Sequence, residues 1–214
     1  MDETVELKSS SRRPARLRVG RLLVLCLSLA LLLTILIRQF FYDVYLIPSE
    51  SMRPTLEVGD RIVISRQAHI SRGDLVVFDG QGSFDPYQSG SLWSRHPLQA
   101  LGQWLGVASP ETIYVKRVIG VAGDSLSCCR DGKLLLNGQV QEEPYLLEAE
   151  PASELEFNVV VPEGRIWLMG DNRSVSRDSR ALLGAPGGGM IRQDKVLGKV
   201  QLRIWPSERW EYFD

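Results

Sequence analysis

The sequence predicts a mainly β protein carried on a single N-terminal transmembrane helix. Three features predict it. An uncharged apolar run extends from Leu22 to Ile37, basic residues crowd in front of it, and short β-branched segments bounded by Gly, Asp or Pro follow it. The chain of 214 residues is long enough for one good core plus an anchor.

The run LLVLCLSLALLLTILI, with Val19 and Gly20 before it and Phe40 and Phe41 after it, approaches the roughly 20 residues a spanning helix needs. It is apolar all round, unlike the amphipathic helix of a soluble core. No small-residue cleavage pattern follows it, which speaks against a removed leader. Lys8, Arg12, Arg13, Arg16, Arg18 and Arg21 outnumber Asp2, Glu3 and Glu6 ahead of it, so the N-terminus is expected in the cytoplasm and the remainder outside. Tyr42 and Tyr45 suit the far interface. The expected organisation is a basic cytoplasmic segment over 1–21, an anchor over 22–41 and an extracytoplasmic β-rich domain over 42–214.

Candidate strands then succeed one another: Arg61–Ser65, Asp74–Asp79, Thr112–Val121, Lys133–Asn137, Phe157–Val161, Arg165–Gly170 and Lys199–Pro206. Gly59-Asp60, Gly73-Asp74 and Gly123-Asp124 precede three β-like stretches and read as turns. Gly80 to Pro110 is rich in Gly, Ser, Pro and Gln, with one short helix expected over Leu98–Leu105; packing on the core is the favoured reading, and a place on the membrane surface or one over the cleft are the alternatives. Gly184 to Met190 reads as a flexible loop.

A net charge of −1 offers no field for nucleic acid. No Cys/His spacing suggests a metal site, and no organic cofactor is implied. Cys128 and Cys129 are adjacent, and a trans peptide holds their Cα atoms about 3.8 Å apart, below the usual disulfide range, so two free thiols are expected. His69 and His96 stand alone as ordinary surface or core residues.

Chemistry points to YLIPSESMRPTL, Tyr45 to Leu56, where Ser49 and Ser51 sit between two prolines. A serine nucleophile needs a base. Neither histidine sits in a recognisable motif, which leaves a neutral lysine. Among the lysines beyond the anchor, only Lys116 lies inside a strongly apolar strand, where burial would lower its pKa. It shares a face with Tyr114 and Val118. Arg117 interrupts the other face, so periodicity leaves open which face is buried, and a solvated edge-strand lysine is the competing reading.

IPSESMRPTLEVGD, RGDLVVF, YVKRVIGVAGD and MGDNRSVSRDSR occur in the order of the boxes of type I signal peptidases, and the chain resembles that family from the anchor to GKVQLRIWP. The resemblance implies an antiparallel β catalytic domain of signal-peptidase type with a small β insertion, about 124–165. It implies Ser51 as nucleophile and Lys116 as general base. Ser49 would join the Ser51 N–H in an oxyanion hole, and Ser176 would orient the lysine. Asp178 and Arg180 would support the site from behind, beside the structural signature Gly170, Asp171, Asn172 and Arg173. The bland readings are turn or loop serines at 49 and 176, and a surface ion pair at 178 and 180. Met52 is expected in a pocket wall.

The implied function is membrane-bound cleavage of N-terminal signal peptides from exported preproteins. The implied partners are those preproteins and the lipid bilayer, in a cell (inner) membrane or a thylakoid-type membrane. The alternatives are a specialised maturation protease of the same fold and a catalytically silent membrane-tethered β-module that binds extended peptides.

Overall fold

Leucine-rich sequence without an internal proline loses little rotamer freedom in a helix, and it forms α1 (Ala15–Phe40). Within α1, Val19–Arg38 has a mean hydropathy of 2.5, and none of it is buried in the protein. The helix stops one residue before the expected limit at 41, because the Phe41 carbonyl already accepts the Arg66 N–H at 2.9 Å. The helix and the chain from Phe41 onward form two separate units. The computed structural model describes residues 15–85, 97–104, 112–147, 150–185 and 187–213. Lys8, Arg12, Arg13, His96 and Leu105 lie outside them, as do the side chains of Arg16 and Arg18.

Among the described residues, β1 (Tyr42–Leu46), β2 (Arg61–Ser65), β3 (Leu75–Asp79) and β4 (Ile113–Gly120) join β9 (Arg165–Met169), β10 (Ile191–Arg192) and β11 (Val196–Trp205) in one antiparallel sheet. Its order is β1-β2-β11-β3-β4-β9-β10, with β12 (Glu211–Tyr212) on β11. Every strand expected from the sequence is present within a few residues. The β1, β5, β7, β10 and β12 segments were not expected. β1 follows the anchor with no turn signal, and three of the others are only two residues long, too short for a periodic pattern.

A second, smaller sheet joins β5 (Ser125–Arg130), β6 (Lys133–Leu136), β7 (Gln139–Val140) and β8 (Phe157–Val160) in the order β7-β6-β5-β8. Its core, with Leu126, Leu134, Phe157 and Trp167, continues onto β9. Cys128 and Cys129, expected as two free thiols, place their sulfurs against each other on β5.

β3 is buried on both faces. Leu75 and Val77 pack with Ile47, Met52, Leu56 and Ile62, whereas Val76 and Phe78 pack with Val118, Ile166 and Leu168. β4 lies next to it in register, with Lys116 opposite Val76.

The short helix α2 (Pro97–Trp104) exists, but Leu98 is 84% and Leu101 42% exposed, so these two leucines of the side expected to pack are not buried. Only Ala100, outside that expected side, is fully buried among its described side chains. The glycine run before Met190 forms a turn within the loop expected there. Gly189 has φ +75° and lies so close to the Ser179 carbonyl that a Cβ would collide with it.

Candidate active site

The chain from Ile47 to Asp60 forms a closed loop. Ile47 N–H donates to the Asp60 carbonyl at 2.8 Å, and Gly59 N–H donates to the Ile47 carbonyl at 2.9 Å. Pro48 and Pro54 disfavour regular helix through it. Met52 and Leu56 anchor its underside, at 1% and 0% exposure. Buried Met52 also forms part of the cleft wall, as expected from its position. Ser51 is thereby held up beside β4.

Lys116 reaches Ser51 from β4: its Nζ lies 2.5 Å from Ser51 Oγ. The lysine is 2% exposed. Burial lowers its pKa from 10.5 to about 8; the carboxylates of Asp178 and Asp171 pull the value up and Arg180 pushes it down. A substantial fraction of Lys116 is therefore neutral near pH 8 and able to accept a proton from the hydroxyl.

Ser49 Oγ lies 3.3 Å from Ser51 Oγ, on the same cleft. The cleft has a volume of about 290 Å³ and is mostly apolar. One wall is Tyr45 to Ser49, the other Ile113 to Lys116. β9 pairs with β4 only from Arg117 onward, so the earlier half of β4 borders the cleft on the side away from β3.

Asp178 and Arg180 form a buried pair rather than a surface one. Arg180 donates from Nε and Nη2 to the two Asp178 oxygens at 2.9 and 2.8 Å, and the side chains are 6% and 0% exposed. Asp178 Oδ2 also accepts the Gly170 N–H at 3.0 Å, and Arg180 Nη2 donates to the Arg173 carbonyl at 2.9 Å. The pair thus braces the turn from Gly170 to Arg180 behind the lysine.

Ser176 lies in that turn, against Gly170. A Cβ on Gly170 would collide with the Ser176 side chain and stand 2.5 Å from the Ser51 carbonyl. The Ser176 hydroxyl is buried without a hydrogen-bond partner. The bond to Lys116 implied by the family resemblance is therefore not made in this geometry.

Sequence reasoning left two contributions unread. Asn172, taken as structural signature, clamps the serine loop: its N–H donates to the Ser51 carbonyl at 3.1 Å and its Nδ2 to the Glu50 carbonyl at 3.2 Å. Arg117, treated as a flaw in an apolar pattern, donates to both Asp171 oxygens at 2.8 and 2.6 Å. Asp171 is fully buried and also accepts the Thr55 hydroxyl at 2.5 Å. The Arg117 guanidinium stacks 3.9 Å from the Tyr145 ring centre. An arginine inside an apolar strand needs a buried anion, and that requirement was the available signal for Asp171. Among the described residues, no group of His, Cys, Asp and Glu is arranged to hold a metal ion.

The family described as signal peptidase, peptidase S26, matches residues 20–205. Signal peptidase I of Mycobacterium tuberculosis is 36% identical over 95% of this chain and 78% of its own length. A probable signal peptidase I of Synechocystis is 35% identical over 86% of this chain and 82% of its own. A crystal structure of a signal peptidase I from Enterococcus faecalis is 24% identical, with a TM-score of 0.40, covering 62% of this chain and 97% of its own.

Proposed function

The chain belongs to the signal peptidase family, peptidase S26, and within that serine peptidase activity we propose Ser51 as nucleophile and Lys116 as general base. The family reaction is the removal of signal peptides from secreted preproteins. The 2.5 Å separation between a buried lysine nitrogen and a serine oxygen carries the assignment.

Neutral Lys116 takes the Ser51 hydroxyl proton as Oγ attacks the scissile carbonyl. The C=O electron pair moves onto oxygen, and the Ser51 N–H with the Ser49 hydroxyl, 3.3 Å from Ser51 Oγ, are the donors assigned to that developing charge. Collapse expels the amine, which takes the proton back from Lys116 and leaves an acyl ester on Ser51. Lys116 then deprotonates a water, which attacks the ester carbonyl; collapse breaks the bond to Ser51 Oγ, which takes the proton back from Lys116, and the signal peptide leaves as its carboxylic acid, ionised in solvent.

The apolar cleft suits an extended substrate lying between the Tyr45–Ser49 wall and the first half of β4, where backbone pairing supplies register and small pockets select small side chains. Asp178 and Arg180 act as positioning residues, through the turn behind Lys116. The orienting role that the family resemblance implies for Ser176 requires its unpartnered hydroxyl to turn toward the amine during turnover.

The N-terminal apolar helix is consistent with single-pass anchoring. Together with the basic residues before it, this supports a cytoplasmic N-terminus and cleavage at the outer face of a cell membrane or thylakoid-type membrane, where the substrate's own apolar segment resides. The domain organisation that accompanies this reading is 1–21 cytoplasmic, 22–41 anchor and 42–214 peptidase, with the small sheet inside about 124–165.

N-terminal sequencing of the products of a reporter preprotein tests the reading. The wild-type chain should release one mature N-terminus after a small residue, and Ser51→Ala should release none. Continued cleavage by Ser51→Ala would remove this serine from the mechanism.

A further inference from the structure

Ser51 stands on a loop, and Lys116 stands on a strand. Their 2.5 Å contact therefore depends on whatever holds the loop, and Asn172 accounts for only one end of it. The returning limb, Thr55 to Asp60, has a second set of restraints, and these come from the far end of the chain.

Arg203 on β11 is 6% exposed. Its Nη1 donates to the Thr55 carbonyl at 2.6 Å and lies 3.5 Å from Asp60 Oδ2. Its Nη2 donates to Glu211 Oε2 at 2.5 Å, and its Nε donates to the Arg209 carbonyl. Four acceptors from two distant segments of the chain thus converge on one guanidinium. Asp60 is itself 1% exposed, and its Oδ2 caps the loop by accepting the Glu57 N–H at 2.9 Å. Arg209 adds a second cation, at 3.1 Å from Asp60 Oδ1 and 3.0 Å from Glu57 Oε2. β12 closes this arrangement by pairing Glu211 with Arg203 across the ladder.

Thr55 is the meeting point. Its carbonyl is held by Arg203, and its hydroxyl by Asp171. Four residues before it is Ser51, joined through the turn in which Leu56 N–H donates to the Met52 carbonyl at 2.9 Å.

We propose that Arg203 is a positioning residue for the nucleophile, clasping Thr55 and Asp60 so that the loop presents Ser51 Oγ to Lys116, with Glu211 and Arg209 completing the clasp. A rigid planar fork with five donors suits four spread acceptors, whereas a lysine offers a single point of charge. The inference rests on Ser51 being the nucleophile. It assigns the C-terminal segment from Arg203 to Glu211 a role in the catalytic step rather than in substrate binding, because the cleft walls do not include it.

The test uses the purified full chain in detergent with a reporter preprotein, measuring kcat and KM separately for Arg203→Met, Arg203→Lys and Glu211→Gln, with Ser51→Ala alongside. A displacement of about 1 Å at the reacting atoms costs up to about 100-fold. Arg203→Met should therefore lose between about tenfold and 100-fold in kcat, with KM within about twofold of wild type. Arg203→Lys should fall between the two, and Glu211→Gln should lose about threefold. A folded Arg203→Met with kcat within twofold of wild type overturns the proposal, as does a loss confined to KM or one accounted for by the folded fraction. If Arg203→Met does not fold, Glu211→Gln decides: a lower kcat at unchanged KM supports the clasp, and an unchanged kcat overturns it. An active Ser51→Ala would instead sink the nucleophile assignment, a separate failure.

Discussion

Lys116 and Arg117 are neighbours on one strand, face opposite sides of it, and meet opposite fates. Tyr114 and Val118, on the lysine side, pack with Val76 and Phe78, whereas Ile113 and Val115, on the arginine side, pack with Ile47 and Met52. Both faces of β4 are covered. The arginine keeps its charge because fully buried Asp171 accepts two hydrogen bonds from it. The lysine has only a serine oxygen within bonding distance among the described contacts, and its carboxylate neighbours are engaged elsewhere: Asp178 by Arg180, Asp171 by Arg117. A buried cation with a dedicated anion keeps its charge, and one without it releases its proton more readily, which is what the proposed role of Lys116 needs.

Removing the proposed base is the strongest way to break this comparison. Lys116→Met and Lys116→Arg should each lower kcat/KM by about 1000-fold or more, because neither side chain can accept the serine proton. A preprotein cleavage assay showing turnover near wild type would place the base elsewhere. Lys116→Met should also melt higher. Below pH 8 the native state bears the net penalty of holding the buried ammonium, desolvation offset in part by Asp178 and Asp171, worth about 3 kcal/mol at 1.36 kcal/mol per pKa unit.

The arginine should respond in the opposite way. Arg117→Met leaves the Asp171 carboxylate buried without its cation, a change that typically costs about 3–5 kcal/mol. Denaturant unfolding would measure it, and a variant as stable as wild type would show that the pair is dispensable. In whatever remains folded, the uncompensated carboxylate should raise the Lys116 pKa and move the activity profile to higher pH.

Ser49→Ala removes one donor beside the nucleophile and should lower kcat roughly 100-fold with little change in KM. Steady-state kinetics at saturating substrate would reveal it.

For the wild type, kcat/KM should rise with pH and level off above about 8, since the neutral amine is the active form. Stability follows the same sign. Between pH 8 and 10.5 the unfolded lysine holds a proton that the native one has released, so stability rises with pH across that window. A rate profile rising only near 10.5 would mean that burial does not tune the amine.

The smallest effect should come from Ser176→Ala. Removing a buried hydroxyl that lacks a partner should leave stability unchanged or raise it slightly, by no more than about 1 kcal/mol. A clear drop in kcat without a stability change would indicate that the hydroxyl does turn to the amine during turnover.

The sequence by itself determined the N-terminal apolar helix and the succession of short strands, and its resemblance to a known family nominated Ser51 and Lys116. The first two signals are local: an apolar run has a length, and a strand has a period. It left undecided which face of β4 is buried, because alternation can identify a half-buried strand but not one covered on both sides. Asn172 against Glu50, Asp171 against Arg117 and Arg203 against Thr55 were settled only by the tertiary structure. Each is a hydrogen bond between residues far apart in the chain, and such pairs become neighbours only once the sheet has brought its strands into register.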